Sequence, residues 1–156
     1  MARARVNLAL LMLTVLAGCR LGRPPAAGPF SVGRVHVAVP EPALGDALSA
    51  GPAAALSRHG ALGSGPAISI RVLGAAEQIR AASGMARVHA VDLRLEVTVT
   101  GPRPRSLVWT GTREYGASGV DPLADTHARA EAWRRLSARA GDEIAAWILH
   151  APPERS

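Results

Sequence analysis

Apolar and polar positions divide this chain into six ordered segments behind a distinct leader. Val35, Val37 and Val39 alternate with Arg34, His36 and Ala38, the period of two expected of a strand with one buried face. Pro40-Glu41-Pro42 ends that strand. From Ala43 to His59 the residues Leu44, Ala47, Leu48, Ala55 and Leu56 return at helical spacing, with Gly51-Pro52 falling inside. Proline lacks the donor for the helical ladder and clashes with the turn before it, so a kinked helix or two short ones are expected. Gly60 to Pro66 reads as a loop, and Ile68, Ile70 and Val72 mark a second strand. The third strand is the clearest. Val91, Leu93, Leu95, Val97 and Val99 share one face, and Asp92, Arg94, Glu96, Thr98 and Thr100 share the other. One face therefore meets a core and the other meets water or a partner. Gly101-Pro102-Arg103-Pro104 turns the chain into a fourth strand, Arg105 to Tyr115, and the short separation predicts an antiparallel hairpin.

The last segment is a long amphipathic helix. Asp121-Pro122 offers a cap followed by a proline in the first turn, where its missing donor costs nothing, and Asp125-Thr126 is a second possible start. Trp133, Leu136, Ala140, Ile144, Trp147 and Ile148 make an apolar stripe. Glu131 with Arg135, and Arg139 with Glu143, are spaced to pair on the wet face. The order β-α-β-β-β-α predicts an α+β fold: a four-stranded, mostly antiparallel sheet with two helices packed on one face, a two-layer sandwich.

The leader carries the sharpest chemistry. Arg3 and Arg5 precede an apolar stretch from Val6 to Leu16, and Leu16-Ala17-Gly18-Cys19 follows. A charged start, a short apolar stretch and small residues at a cleavage point are the layout of a secretory signal, and the stretch is shorter than the roughly 20 residues a spanning helix needs. Leu-Ala-Gly-Cys matches the lipobox of bacterial lipoproteins, which implies cleavage before Cys19 and acyl chains on it. Two or more chains make a stable anchor where one is marginal. The expected organisation is a signal peptide over 1–18, a lipidated cysteine and Pro/Gly/Arg-rich tether over 19–33, one α+β domain over 34–150, and a polar tail over 151–156. Cys19 is the sole cysteine, so no disulfide is expected despite an oxidising destination. Arg20, where an aspartate often retains lipoproteins in the inner membrane of enteric bacteria, points to the outer membrane.

Composition changes the picture in two places. Every one of the 18 basic residues is arginine, which with the abundance of Ala, Gly and Pro reads as the mark of a GC-rich genome. The net charge of +6, part of it in the leader, suits an anionic partner such as phosphorylated lipid or a membrane surface. Nucleic acid is not expected as a partner: the destination is extracytoplasmic, and three Trp, one Tyr and one Phe offer no stacking platform.

Lipobox, tether, the strand Val35-His36-Val37-Ala38-Val39-Pro40, the strand Ser106-Leu107-Val108-Trp109-Thr110-Gly111-Thr112-Arg113-Glu114-Tyr115 and the helix opening Ala130-Glu131-Ala132-Trp133-Arg134-Arg135-Leu136 together resemble the LPS-assembly lipoprotein (LptE) family across the mature chain. Two features depart from the family pattern. Arg20-Leu21-Gly22 follows the cysteine where members often have Gly and an aromatic, and Glu41-Pro42 replaces an Asn/Thr-containing segment after the first strand. The resemblance implies an outer-membrane lipoprotein that partners and plugs an LptD-type β-barrel and assists lipopolysaccharide assembly. It implies no enzyme activity, cofactor or metal. On the uncovered sheet face, Arg71, Arg94 and Arg113 are expected to contact lipopolysaccharide phosphates through charge-assisted hydrogen bonds. Each is also readable as a surface cross-strand partner of Asp92 or Glu96.

Catalytic patterns are missing from the sequence. It has no glycine-rich phosphate loop, Gly-x-Ser-x-Gly elbow or His-Glu-x-x-His helix. His36, His59, His89, His127 and His150 are scattered, and Asp125 beside Thr126 and His127 reads as a helix cap. Trp109, Trp133 and Trp147 read as core or interface anchors. The competing expectation is a periplasm-facing lipoprotein that regulates a cell-wall synthase or serves an envelope transporter.

Overall fold

The computed structural model of the protein describes residues 30–36, 42–101 and 104–150. The elements run β1 (Phe30–His36), α1 (Pro42–Arg58), β2 (Leu62–Ser83), β3 (Ala86–Val99), β4 (Arg105–Ala117) and α2 (Pro122–His150). The four strands form one sheet in the order β1-β2-β3-β4. β1 runs parallel to β2, and both other pairings are antiparallel. A parallel pair requires a crossover, which α1 supplies. This is the α+β architecture that the apolar periods predict.

The core lies between one sheet face and the two helices. Ile68, Ile70, Val91, Leu95 and Val97 from the strands, and Leu48, Leu56, Ala140 and Ile144 from the helices, are fully buried. The helices cross closely where Gly51 meets Gly141. A Cβ on Gly141 would stand 2.5 Å from the Gly51 carbonyl carbon and 2.8 Å from the Pro52 nitrogen. Sequence left open a kinked helix or two short ones here; α1 is one 17-residue helix with Pro52 inside it. The Gly51-Pro52 step lies against the facing helix, and glycine on both sides allows the approach.

Two boundaries differ from expectation. β1 begins at Phe30, within the segment expected to be tether, because Phe30 is buried and its N–H donates to the Ala61 carbonyl at 2.7 Å. Val37 and Val39, which carried the strand reading, lie outside the described residues, as do Cys19 and the tail 151–156. The segment Gly60 to Pro66 is largely strand: β2 starts at Leu62, which pairs with Phe30, and Thr100 holds the Ala67 carbonyl through both its N–H (2.9 Å) and its Oγ1 (3.0 Å).

The largest addition is the length of the β2–β3 hairpin. β2 has 22 residues and spans roughly 70 Å at about 3.3 Å per residue, while β1 accompanies it only as far as Arg71. Ser83 pairs with Ala86 across a two-residue turn. Gly84 has φ +58° and Met85 has negative φ, the pattern of a type II′ turn, whose first position favours glycine. The closing helix begins as its sequence predicts: Asp121 Oδ1 accepts from the N–H groups of Leu123 (3.0 Å) and Ala124 (3.1 Å), with Pro122 in the first turn.

Candidate functional site

The helices cover one face of the sheet and leave the other open, and the antiparallel registers fix which side chains stand there. Arg71 lies opposite Glu96, Arg94 opposite Gly74 and Thr110, and Asp92 opposite Ala76 and Thr112. These alternate with the buried Leu93 and Leu95, so they project from the uncovered face. Arg113 does not join them. It pairs with Val91, whose side chain enters the core, so Arg113 is exposed on the helix side of β4. Its expected place on the open face is corrected by the register, because strand alternation puts odd-numbered β4 residues with Trp109 and Tyr115.

The two remaining arginines differ in what they face. Arg71 is ion-paired with Glu96. Asp92 accepts a hydrogen bond from Thr112 Oγ1 at 2.6 Å and lies 3.6 Å from Arg80. Arg94 makes no hydrogen bond or ion pair among the described residues, although carboxylates lie two positions to either side. Directly opposite it, Gly74 has nothing within 4 Å of where a Cβ would stand, so the face beside Arg94 is open. On the helix side of the same strands, Ala75, Leu93, Gly111 and Arg139 line a depression of about 610 Å³. A Cβ on Gly111 would meet the Trp109 ring at 2.3 Å, and that ring is 5% exposed with Nε1 donating to Glu143 Oε2 at 2.7 Å. Hydrogen bonds from Arg139 and Trp109 outweigh a smaller burial effect and hold the Glu143 carboxyl below the usual glutamate range. What this face can do is bind: a free guanidinium with the Thr110 hydroxyl on the neighbouring strand can hold an anionic oxygen, while the Thr112 hydroxyl is already given to Asp92. Among the described residues, no group of three or more His, Cys, Asp and Glu side chains could hold a metal ion.

A second cluster, which the sequence reading missed, sits on the helix side of the long hairpin. Glu77 accepts hydrogen bonds from the Tyr115 hydroxyl and from Arg129 Nε at 2.7 Å, and His89 Nδ1 lies 3.1 Å away. The His89 and Tyr115 rings stack with centroids 5.2 Å apart. Burial pushes the Glu77 carboxyl up, but the Tyr115 and Arg129 hydrogen bonds and the charges of Arg129 and His89 outweigh it and hold the group below the usual range. Burial, reinforced by the bond to Glu77, pushes the Tyr115 hydroxyl far above its ordinary value. Nearby, Asp125 accepts from the N–H groups of Ser118 (2.8 Å) and Gly119 (3.0 Å), which keeps its carboxyl low and locks the β4–α2 connection. Asp125 is therefore a loop clamp, while the helix starts at Asp121. The cluster joins residues 52 positions apart (Glu77 and Arg129), and only the β2–β3–β4 register could have foretold it.

No family profile matches the chain, and no curated protein matches it in sequence. Solved structures do resemble it. A minor lipoprotein from Acinetobacter baumannii superposes with a TM-score of 0.53 at 15% identity, covering 82% of this chain and 95% of that one. A Xanthomonas campestris protein of family DUF330 gives a TM-score of 0.53 at 18% identity, covering 81% and 88%. A hypothetical protein from Chlamydia trachomatis gives 0.50 at 7% identity, covering 80% and 99%. At such identities the likeness is one of fold, and the fold is one that a bacterial lipoprotein uses.

Proposed function

We propose that this chain is an outer-membrane lipoprotein, anchored through acyl chains on Cys19, that partners and plugs an LptD-type β-barrel and assists lipopolysaccharide assembly without catalysing a reaction. The observation that carries the binding part of this reading is Arg94. It is a cation with no protein partner among the described residues, on the open sheet face across from Gly74 and Thr110. A guanidinium matches the geometry of a phosphate oxygen pair, and lipid A presents such groups. Arg71, already paired with Glu96, is the secondary contact. Arg113, on the opposite face, would reach lipid only along a different path. Anchoring rests on the Leu-Ala-Gly-Cys19 motif behind its charged and apolar leader. A fold shared with an Acinetobacter lipoprotein is consistent with it.

The test is a tagged pull-down from detergent-solubilised outer membrane, with co-purifying proteins identified by mass spectrometry. A stoichiometric, heat-modifiable large β-barrel is the expected result. Recovery of a cell-wall synthase or an inner-membrane transporter with no barrel would overturn the assembly reading and leave the anchored lipoprotein.

A further inference from the structure

The far end of the β2–β3 hairpin exposes apolar side chains that the fold does not use. Ile79 is 55% exposed, Met85 64% and Val88 36%. The β4–α2 connection abuts this tip: a Cβ on Gly119 would lie 2.9 Å from the Met85 carbonyl oxygen, and the adjacent Val120 and Leu123 are 71% and 68% exposed. The side chains do not share one plane. Ile79 pairs with His89, on the helix side, whereas Val88 stands one position along and points to the other face. A flat protein partner would meet one side of such a tip; a fluid apolar medium meets both. The residues between Ile79 and Val88 apart from Met85 and the arginines are small (Ala81, Ala82, Ser83, Gly84, Ala86), and the stretch lacks the aromatic anchors that dominate protein interfaces.

Charge at this end favours an anionic surface. Arg80 and Arg87 flank the turn, and no acidic residue lies between Gln78 and Val91. The neighbouring acids are turned to internal work. Glu77 is held by Tyr115, Arg129 and His89, Asp121 caps α2, Asp125 clamps the loop, and Asp92 takes Thr112 with Arg80 at 3.6 Å. Glu114 is the exception, set back from the turn opposite Ala90. Arg87 has no partner among the described residues. Arginines flanking an apolar tip can keep their heads at headgroup level while the stems and the tip enter the acyl boundary.

We propose that the hairpin tip around Met85 is a second membrane contact, entering the headgroup region of an anionic phospholipid bilayer. Its position defines an orientation. β1 starts beside Leu62, at the opposite end of β2, and ten residues separate Cys19 from Phe30. Those residues reach at most about 40 Å, against the roughly 70 Å length of β2. An anchor at Cys19 and a tip at Met85 in one leaflet therefore tilt the sheet tip-down, with its Phe30 end held at most about 40 Å above the bilayer. This describes the chain on a bare bilayer and does not depend on the barrel reading; capture by a barrel would exchange the tip's lipid for the barrel wall.

The experiment places an environment-sensitive fluorophore on a Met85→Cys variant of the full chain, purified from membranes and reconstituted in vesicles of phosphatidylcholine with phosphatidylglycerol. A Ser106→Cys variant labels the other end of the sheet, and the parent chain reports any label on Cys19. Flotation with the vesicles reads the anchor, and quenching by shallow spin-labelled lipid reads the tip. Expected are flotation, quenching at position 85 and none at position 106. Arg87→Gln should weaken the lipid affinity of the tip about fivefold on phosphatidylglycerol, and an unchanged affinity overturns the lipid assignment. Flotation without quenching at 85 overturns the tip proposal alone. Quenching in excess lipid without stable flotation counts against the anchor alone, and neither signal counts against both. A label open to aqueous quencher in vesicles but occluded in isolated outer membranes assigns the tip to a protein and overturns the proposal.

Discussion

From Ile68 to Arg71, β2 lies between two strands and beneath the helical layer, and its inward side chains Ile68 and Ile70 are fully buried. From Gly74 to Ser83 it has one strand neighbour among the described residues, and Ile79 on the same element is 55% exposed. The near half is held by burial of Leu48, Leu56, Ile70, Leu95 and Ile144, a non-directional force that scales with area. The far half has little apolar area to bury and is held instead by hydrogen bonds and charges converging on Glu77. One continuous strand thus passes from a hydrophobic regime to a polar one. The near half should be the more costly to damage, while the far half should answer to pH and open locally.

The largest expected effect breaks the near half. Gly141→Val places a branched side chain where even a Cβ would lie 2.5 Å from the Gly51 backbone, which cannot retreat without separating the helices. Overpacking of this kind costs about 3 kcal/mol, and Leu48→Ala, at a site with no exposure, should cost about 2–5 kcal/mol. Urea denaturation followed by circular dichroism should show the midpoint falling for both. A Gly141→Val chain as stable as the parent would mean that the helix crossing is not as close as described.

A smaller effect should stay in the far half. Tyr115→Phe removes one hydrogen bond to Glu77 from a partly exposed cluster, and should cost about 1 kcal/mol. Native-state amide exchange should quicken over the distal parts of β2 and β3 and stay unchanged at Ile70 and Val97. If exchange rises equally in both halves, they unfold as one unit and the contrast drawn above fails.

Acid should act on the same cluster. Glu77 has its folded-state pKa held below the ordinary 4.5. A carboxyl depressed on folding contributes stability that is present above its unfolded value and lost as pH falls through the lower folded value. Protection of the distal hairpin should therefore decline below about pH 4.5. Glu77→Gln should remove part of that acid dependence while lowering protection at neutral pH. Exchange measured across an acid titration reads both; an acid limb that is unchanged in Glu77→Gln would assign the dependence to another group, such as Glu143.

The two halves also differ in how far the sequence disclosed them. Where burial decides the structure, alternation is sufficient: Val91 to Val99 and the stripe through Trp133, Leu136 and Ile144 carried the near half, and the Glu131–Arg135 and Arg139–Glu143 pairs form as their spacing predicts. The far half has a weak period because its strands bury little. Two register irregularities, at Val72/Gly74 and Ile79/Ala81, also shift its phase. Phe30 was missed for a related reason. A single aromatic after a Pro/Gly-rich run has no alternation of its own, and its pairing with Leu62 and bond to Ala61 are tertiary. On the open face, Arg71 and Arg94 were legible from alternation along single strands. Arg113 was misplaced because assigning a face to β4 requires its register against β3.

The smallest effects on stability fall on the open face, and there the comparison turns from folding to binding. Arg71 and Glu96 form an ion pair with side chains 59% and 33% exposed, and such pairs contribute about 0–1 kcal/mol. Arg94 has no partner among the described residues to lose, so Arg94→Ala should leave stability within about 0.5 kcal/mol of the parent. Binding should rank them the other way. A free guanidinium can give its hydrogen bonds to a phosphate at once, whereas Arg71 must first leave Glu96. A charge-assisted hydrogen bond is worth about 1.5–3 kcal/mol. Arg94→Ala should therefore weaken lipopolysaccharide binding by about tenfold or more, and Arg71→Ala by less. A fluorescence displacement assay on the purified chain, run beside the denaturation curves, measures both quantities. If Arg71→Ala weakens binding more than Arg94→Ala, the paired arginine carries the contact, and Glu96 serves to orient it.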